Sequence, residues 1–230
     1  MSDICPTLRR DGDQVVILDQ TRLPYEEHYL RLDSLACAAT AIRDMQVRGA
    51  PLIGAAAAFG MALALRHDAS DTQLRHADQV LRQTRPTAVN LHWALDRMRT
   101  VLSPLPATAR STAAWAEAEA IRSADAANNA AIGLHGLAVL RPLARKPGPL
   151  QLMTHCNAGW LATCGHGTAL APIYAAHAAG LDVHVWVSET RPRNQGLLTA
   201  WELARAGVPH TLIADNAAGW LMAAGRVDCV

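Results

Sequence analysis

The chain is almost without lysine: of its 21 basic residues only Lys146 is one, and it sits in the breaker-rich stretch LARKPGPL. Arginine carries the rest. A lone amine in an exposed loop makes Schiff-base chemistry a poor reading. The five cysteines, Cys5, Cys37, Cys156, Cys164 and Cys229, form no CxxC pair and are odd in number. That predicts a reduced, cytoplasmic protein without a zinc site. The ten histidines show no HExxH or other paired spacing, so no metal site is expected and most read as surface or helix-cap residues. A net charge of +1 supplies no field that would draw the chain to nucleic acid or to a membrane. The apolar run Pro51 to Leu65 stops at Arg66, too short to span a bilayer. The N-terminal MSDICPTLRRDGD has no apolar centre, so no signal peptide is expected. A dinucleotide fingerprint is missing too: Gly165-His166-Gly167 is followed by Thr168-Ala169-Leu170, without the third glycine and in too long a loop.

What is present is a soluble globular chain of 230 residues, 50% hydrophobic and 18% charged, of a size for one or two domains. Residues 14–19, QVVILD, read as a strand that forms a small β element with TRLPYEE. From Leu32 the apolar spacing turns helical, with Leu35, Ala38, Ala39 and Ile42 on one face. Arg48-Gly49-Ala50-Pro51 then opens PLIGAAAAFGMALAL, a helix apolar on nearly every side and therefore buried. Residues 71–83 form an amphipathic helix that ends at Arg85-Pro86, since proline forces the residue before it out of helical geometry. Thr87 or Asn90 can cap the next helix, which turns Leu91, Ala94, Leu95 and Met98 inward. A long alanine-rich helix follows, with Ser111 as its cap and Gly133 and Gly136 weakening its end.

After a linker at about 140–149 the pattern changes. Strands at 150–154, 182–187 and 209–214 alternate with helices at 168–179, 196–206 and 217–224, and Arg226 to Val230 begins another strand. This is the rhythm of a doubly wound parallel sheet. The expected architecture is α/β: residues 1–145 a mostly helical domain with a small β element, residues 149–230 a Rossmann-like parallel-sheet domain, incomplete here. Three polar clusters fall at strand ends: Thr154-His155-Cys156-Asn157, Ser188-Glu189-Thr190-Arg191 and Asp215-Asn216. All should meet at one sheet edge, where ligands of such folds bind. Cys156 there reads either as a chemical thiol beside a glycine loop whose N–H groups approach an anion, or as an ordinary core cysteine. Arg48 and Arg85 read either as anion-holding groups next to helix starts or as solvated loop arginines.

Arg48-Gly49-Ala50-Pro51, Arg85-Pro86-Thr87-Ala88-Val89-Asn90-Leu91, Thr154-His155-Cys156-Asn157-Ala158-Gly159, Glu189-Thr190-Arg191-Pro192 with Gln195-Gly196, and Asp215-Asn216 with Ala218-Gly219 resemble, in this order, the methylthioribose-1-phosphate isomerase family. The looser ETRP and DN elements are shared with its superfamily, which includes ribose-1,5-bisphosphate isomerase and the alpha, beta and delta subunits of the translation-initiation guanine-nucleotide exchange factor. The resemblance implies a cofactor-free aldose–ketose isomerase of methionine salvage, a homodimer whose partner is a small sugar phosphate. It implies that Arg48, Gly49, Ala50, Arg85 and Gln195 hold the substrate and that Cys156 is catalytic. In the family the last strand runs on into a Gly-Ala-Asp-Arg motif, whose aspartate is the second catalytic group, and then an Asn-Lys pair. The resemblance thus implies a truncated chain with little or no activity by itself. The alternatives are ribose-1,5-bisphosphate isomerase, where a second phosphate needs another cation, and a non-catalytic regulatory subunit. Cys156 within THCNAG, together with both arginine motifs, favours the enzyme.

Overall fold

The computed structural model describes residues 6–144 and 147–230; Cys5 and Lys146 lie outside them. The chain divides into two compact units, Pro6–Ala126 and 127–230.

The first unit opens with an antiparallel meander, β1 (Leu8–Asp11), β2 (Gln14–Leu18) and β3 (Tyr29–Leu32), in that spatial order. Gly12, at φ 65°, begins the two-residue turn between β1 and β2, a position where a side chain would be strained. The small β element is there, but its third strand is not TRLPYEE. Residues 21–25 form turns, in which Tyr25 N–H bonds the Arg22 carbonyl, and Pro24 has no N–H to give a ladder. Helix α1 (Leu35–Arg43) starts at Ser34, whose hydroxyl accepts from Cys37 N–H, and buries Ala38, Ala39, Ala41 and Ile42.

Helix α2 (Ala50–Ala64) is the axis of this unit: every residue from Leu52 to Ala64 is buried. Its neighbours α1, α3 (Asp71–Thr84) and α4 (Val89–Leu102) come close because it is built of small residues. A Cβ on Gly60 would lie 3.0 Å from Ala38 Cβ and 3.1 Å from Leu81 Cδ2; one on Gly54 would lie 2.9 Å from the Asn90 carbonyl oxygen. Helix α3 is capped by Ser70 and buries Leu74, Ala77 and Leu81. Helix α4 buries Leu91, Ala94, Leu95 and Met98, as its spacing predicts, and Leu102 as well. Neither Thr87 nor Asn90 caps it: Ala88 occupies that position without a side-chain bond, and Asn90 lies inside the first turn.

Helix α5 (Ala107–Leu140) begins directly after Pro106, ahead of Ser111, and passes through both of its glycines. In the second unit these glycines are contact points. A Cβ on Gly133 would lie 3.2 Å from the Ala171 carbonyl, and one on Gly136 would lie 2.3 Å from Pro172 Cγ. The last turns of α5 therefore pack on α6 (Ala171–Ala178). That is why the compact units divide inside α5, at Ala126–Ala127, rather than within the breaker stretch at 140–149.

The second unit contains the parallel sheet β4 (Leu150–Thr154), β5 (Val183–Ser188) and β6 (His210–Ile213), in that order, with α6, α7 (Gln195–Arg205) and α8 (Ala217–Ala223) between and after the strands. Leu150, Leu152, Val183, Val185 and Val187 are buried in it. Helix α6 starts three residues later than the spacing suggests, at Ala171, with Pro172 in its first turn. The expected strand at Arg226–Val230 is a single parallel bridge, Cys229 to Leu152. It is held by Asp228 N–H to the Gln151 carbonyl at 2.7 Å and Met153 N–H to the Cys229 carbonyl at 2.9 Å. Since β5 occupies one side of β4, this bridge lies on the other. The chain thus winds outward from β4 to β6 and then returns beside β4. The carboxyl end of β4 is the point of reversal, the place where parallel sheets open a crevice for ligands. No helix among the described residues is long and apolar enough to cross a membrane.

Candidate active site

The three polar strand ends of the second unit meet. Cys156, just beyond β4, has φ 65°, a left-handed conformation that costs a non-glycine residue roughly 1–2 kcal/mol. It is held at both ends of its peptide: its N–H donates to Thr190 Oγ1 at 2.7 Å, and its carbonyl accepts from Thr199 Oγ1 at 2.7 Å. Thr190 is itself left-handed, at φ 61°, and its hydroxyl donates to the Ser188 carbonyl. Asp215, beyond β6, fastens that turn: its carboxylate accepts from the Ser188 hydroxyl and from the N–H groups of Thr190 and Arg191, both at 2.8 Å. These donors, the Ser188 hydroxyl foremost, hold the Asp215 carboxyl down at about 2. Asp215 therefore stays ionised and serves as a structural acceptor. A half-buried thiol on a clamped, strained backbone at a sheet's reversal point has the setting of a reactive group.

Gln195 opens α7, the helix whose next turn supplies Thr199. Gly196 allows this helix to press on the end of β5, since a Cβ there would lie 2.2 Å from the Ser188 carbonyl oxygen. Asn194, left-handed at φ 53°, gives its N–H to the Thr190 carbonyl at 2.9 Å. The structure thus places Cys156, Thr190 and the start of α7 in one hydrogen-bonded group.

Several N–H groups of the glycine loop are bonded within the loop itself. The N–H groups of Gly165 and Gly167 donate to Thr163 Oγ1, and that of Thr168 to the Ala158 carbonyl. Its glycines permit close packing: a Cβ on Gly167 would lie 2.5 Å from Gly159 Cα, and one on Gly159 would lie 1.8 Å from Glu202 Oε2. Glu202, on α7, is fully buried and went unnoticed in the sequence, as did Thr199 one turn before it. Asn157 Nδ2 bonds both, at 3.1 Å to Thr199 and 2.8 Å to Glu202. Their i, i+3 spacing on a helix with an otherwise apolar inner face is the signal that would have found them.

In the first unit Gly49 is the N-cap of α2 at φ 83°, with Ala50 as the first helical residue, exposed, and Arg48 half-buried before it. First-turn N–H groups of a helix have no intrahelical partner, so they and the guanidinium suit an anion. Arg85 ends α3 with a non-helical backbone, half-exposed, and its side chain makes no hydrogen bond or ion pair among the described residues. The Gly54–Asn90 contact joins α2 and α4 near the N-terminal end of each, so the loops of Arg48 and Arg85 enter from the same end of the helix pair. Arg48, Gly49, Ala50 and Arg85 thus belong to one end of the first unit; Cys156 and Gln195 belong to one edge of the second. Among the described residues no group of three or more His, Cys, Asp or Glu side chains could hold a metal ion.

Comparison with known proteins gives these features a setting. Over 227 residues the chain is 63% identical to the methylthioribose-1-phosphate isomerase of Dechloromonas aromatica (strain RCB), a match covering 97% of this chain and 63% of that protein. It superposes on the crystal structure of 5-methylthioribose 1-phosphate isomerase from Pyrococcus horikoshii OT3 with a TM-score of 0.87 and 36% identity, over 98% of this chain and 64% of that one. The translation initiation factor eIF-2B subunit delta from A. fulgidus gives a TM-score of 0.84 and 34% identity, over 97% and 66%. The chain spans about three fifths of the length of the curated relatives it matches. Residues 46–230 match the model of the Initiation factor 2 subunit family, most of the chain from the arginine loop before α2 to the bridge beside β4, and the chain belongs to that family.

Proposed function

We propose that this chain belongs to an aldose–ketose isomerase that converts 5-methylthioribose 1-phosphate to 5-methylthioribulose 1-phosphate, works in the cytoplasm in methionine salvage, and acts as a homodimer. The observation that carries the reading is the doubly clamped, left-handed Cys156 at the reversal point of the sheet, in a chain 63% identical to a protein of that name. The C1 oxygen of such a substrate is phosphorylated, so the ring does not open to a free aldehyde by itself. The site must assist ring opening and move hydrogen from C2 to C1, which needs proton carriers and cations on the phosphate. Cys156 is one proton carrier. Arg48, the first-turn N–H groups at Gly49 and Ala50, Arg85 and Gln195 hold phosphate and sugar. Arginine suits the phosphate because its planar fork makes paired bonds to two oxygens.

The test is conversion of 5-methylthioribose 1-phosphate by the full product of the gene that encodes this chain. Arg48→Ala and Arg85→Ala should each lower kcat/KM by the equivalent of about 2–5 kcal/mol, the usual cost of a lost buried charge contact. Arginine-to-lysine changes should restore only part, since a point charge lacks the fork. Inorganic phosphate should raise the thermal midpoint of the wild type and do so less in both alanine variants. A wild type that leaves the substrate unconverted, or alanine variants with full turnover and full phosphate shift, would overturn the assignment. Light scattering at the mass of one chain would overturn the dimer.

A further inference from the structure

Glu202 is the most deeply placed carboxylate described in the chain, and the chemistry above makes no use of it. Its two oxygens receive four donors. Asn157 Nδ2 at 2.8 Å and Leu161 N–H at 3.1 Å bond Oε1; Trp160 N–H at 2.8 Å and the Tyr174 hydroxyl at 2.9 Å bond Oε2. The two backbone N–H groups and the Asn157 amide can only donate, and the Tyr174 hydroxyl donates to the ionised form, so the arrangement fits a carboxylate. Three of the four come from the segment that follows Cys156. The fourth comes from α6, the helix that this loop leads into. Asn157 then gives its other amide hydrogen to Thr199 Oγ1, whose own hydrogen goes to the Cys156 carbonyl. A continuous chain of hydrogen bonds therefore runs from the buried carboxylate to the strained peptide of Cys156.

We propose that ionised Glu202 is the positioning residue for Cys156, acting through Asn157 and Thr199 to hold the thiol's backbone in its left-handed conformation. The proposal deepens the isomerase reading and rests on it for its kinetic arm alone. Tyr174 is the titratable group that faces Glu202; burial, followed by the nearby charge of Glu202, pushes its own pKa well above the usual value, so it remains a donor. Burial pushes the Glu202 carboxyl up to about 7 against the pull of its four donors. Protonation therefore falls in the neutral range. It would leave Glu202 accepting one bond fewer and loosen the segment that carries Cys156.

The experiment uses the full-length protein with Glu202→Gln, Tyr174→Phe and Thr199→Val. For each, kcat and KM are followed from pH 5.5 to 9, and alkylation of individual cysteines by iodoacetamide is read by mass spectrometry. Glu202→Gln should lower kcat by tenfold or more with KM within about threefold, and should remove the acid limb of the kcat profile. Tyr174→Phe removes a donor that favours the charged form, so it should keep the limb and move it to higher pH. Thr199→Val, which leaves Glu202 in place, should lower kcat while the limb stays where it is. Alkylation at Cys156 should change by severalfold or more in Glu202→Gln and Thr199→Val, with Cys37 and Cys229 unaffected. If Glu202→Gln keeps wild-type kcat, acid limb and Cys156 alkylation, the positioning role is wrong. If it fails to fold, an unmoved limb in Tyr174→Phe together with unchanged Cys156 alkylation in Thr199→Val overturns it as well. Should the wild type show no isomerase activity, the alkylation arm still decides the matter, so failure of the two readings is told apart.

Discussion

At the scale of single residues, the thiols of Cys156 and Cys164 lie eight positions apart and have opposite settings. Cys156 ends a strand on a strained peptide fixed by two threonine hydroxyls. Cys164 lies within the glycine loop, which is closed by its own hydrogen bonds around Thr163. Cys156→Ser should therefore keep the fold and lower kcat by roughly two to four orders of magnitude, the range for a proton-transfer group. Cys164→Ser should change kcat little. Steady-state rates and circular dichroism of the two variants check this, and equal losses would show that the thiol was misassigned. The place of Cys156 at a strand end could be read in the chain. The threonines that hold it could not, because Thr190 and Thr199 are 34 and 43 residues away and reach it only once β5 and α7 pack beside β4.

At the scale of elements, small residues set the distances. Gly54 lets α4 rest its Asn90 carbonyl against α2, and the loops of Arg48 and Arg85 share an end as a consequence. Gly54→Ala puts a methyl group 2.9 Å from that carbonyl oxygen, and buried backbone on both sides has little room to give. The expected cost is about 1–3 kcal/mol of stability, the usual range for overpacking, with weaker phosphate binding by the arginine loops. Chemical denaturation and the phosphate-induced thermal shift measure the two effects. Gly12→Ala is the contrast: open space surrounds its Cβ, so only its positive φ is at issue. The elements were largely legible. The buried α2, the inward face of α4 and the alternation of strands with helices follow from apolar period and breakers. Their caps were less so: Ala88 begins α4 without a side-chain bond, and α5 starts ahead of Ser111.

At the scale of the whole molecule, two carboxylates give stability opposite dependences on pH. Asp215 has a folded pKa of about 2, below the ordinary 3.8, so its contribution is present above that ordinary value and is lost as pH falls through about 2. Glu202 runs the other way. Its folded pKa of about 7 lies above the ordinary 4.5, so the stability it lends is fully present below 4.5 and is lost as pH rises through 7. The difference amounts to roughly 3 kcal/mol. Urea unfolding at pH 5 and pH 8 should show the wild type losing stability over this window relative to Glu202→Gln. Parallel behaviour of the two proteins would show that Glu202 ionises freely in the fold. Ionising a buried carboxylate at neutral pH thus costs stability and orders the segment around Cys156, a trade expected where strain is kept for function.

The chain's own order of residues determined which segments are helix and which are strand, because hydrophobic period, proline and glycine act over a few neighbours. It also determined that Cys156, the 188–191 turn and Asp215 share an edge, since in a parallel sheet every strand points the same way. Only the tertiary structure decided that the N–H groups of Gly165, Gly167 and Thr168 go to Thr163 and Ala158, and that the loop's glycines make room for Glu202. It alone decided that Arg226–Val230 meets β4 at one bridge, and that the turns of α5 near Gly133 and Gly136 pack on α6. Each of these depends on which surfaces come within a few ångströms of one another. Residues tens of positions apart carry no local mark of that encounter, and a glutamate on an apolar helix face looks solvated until the donors that surround it are in place.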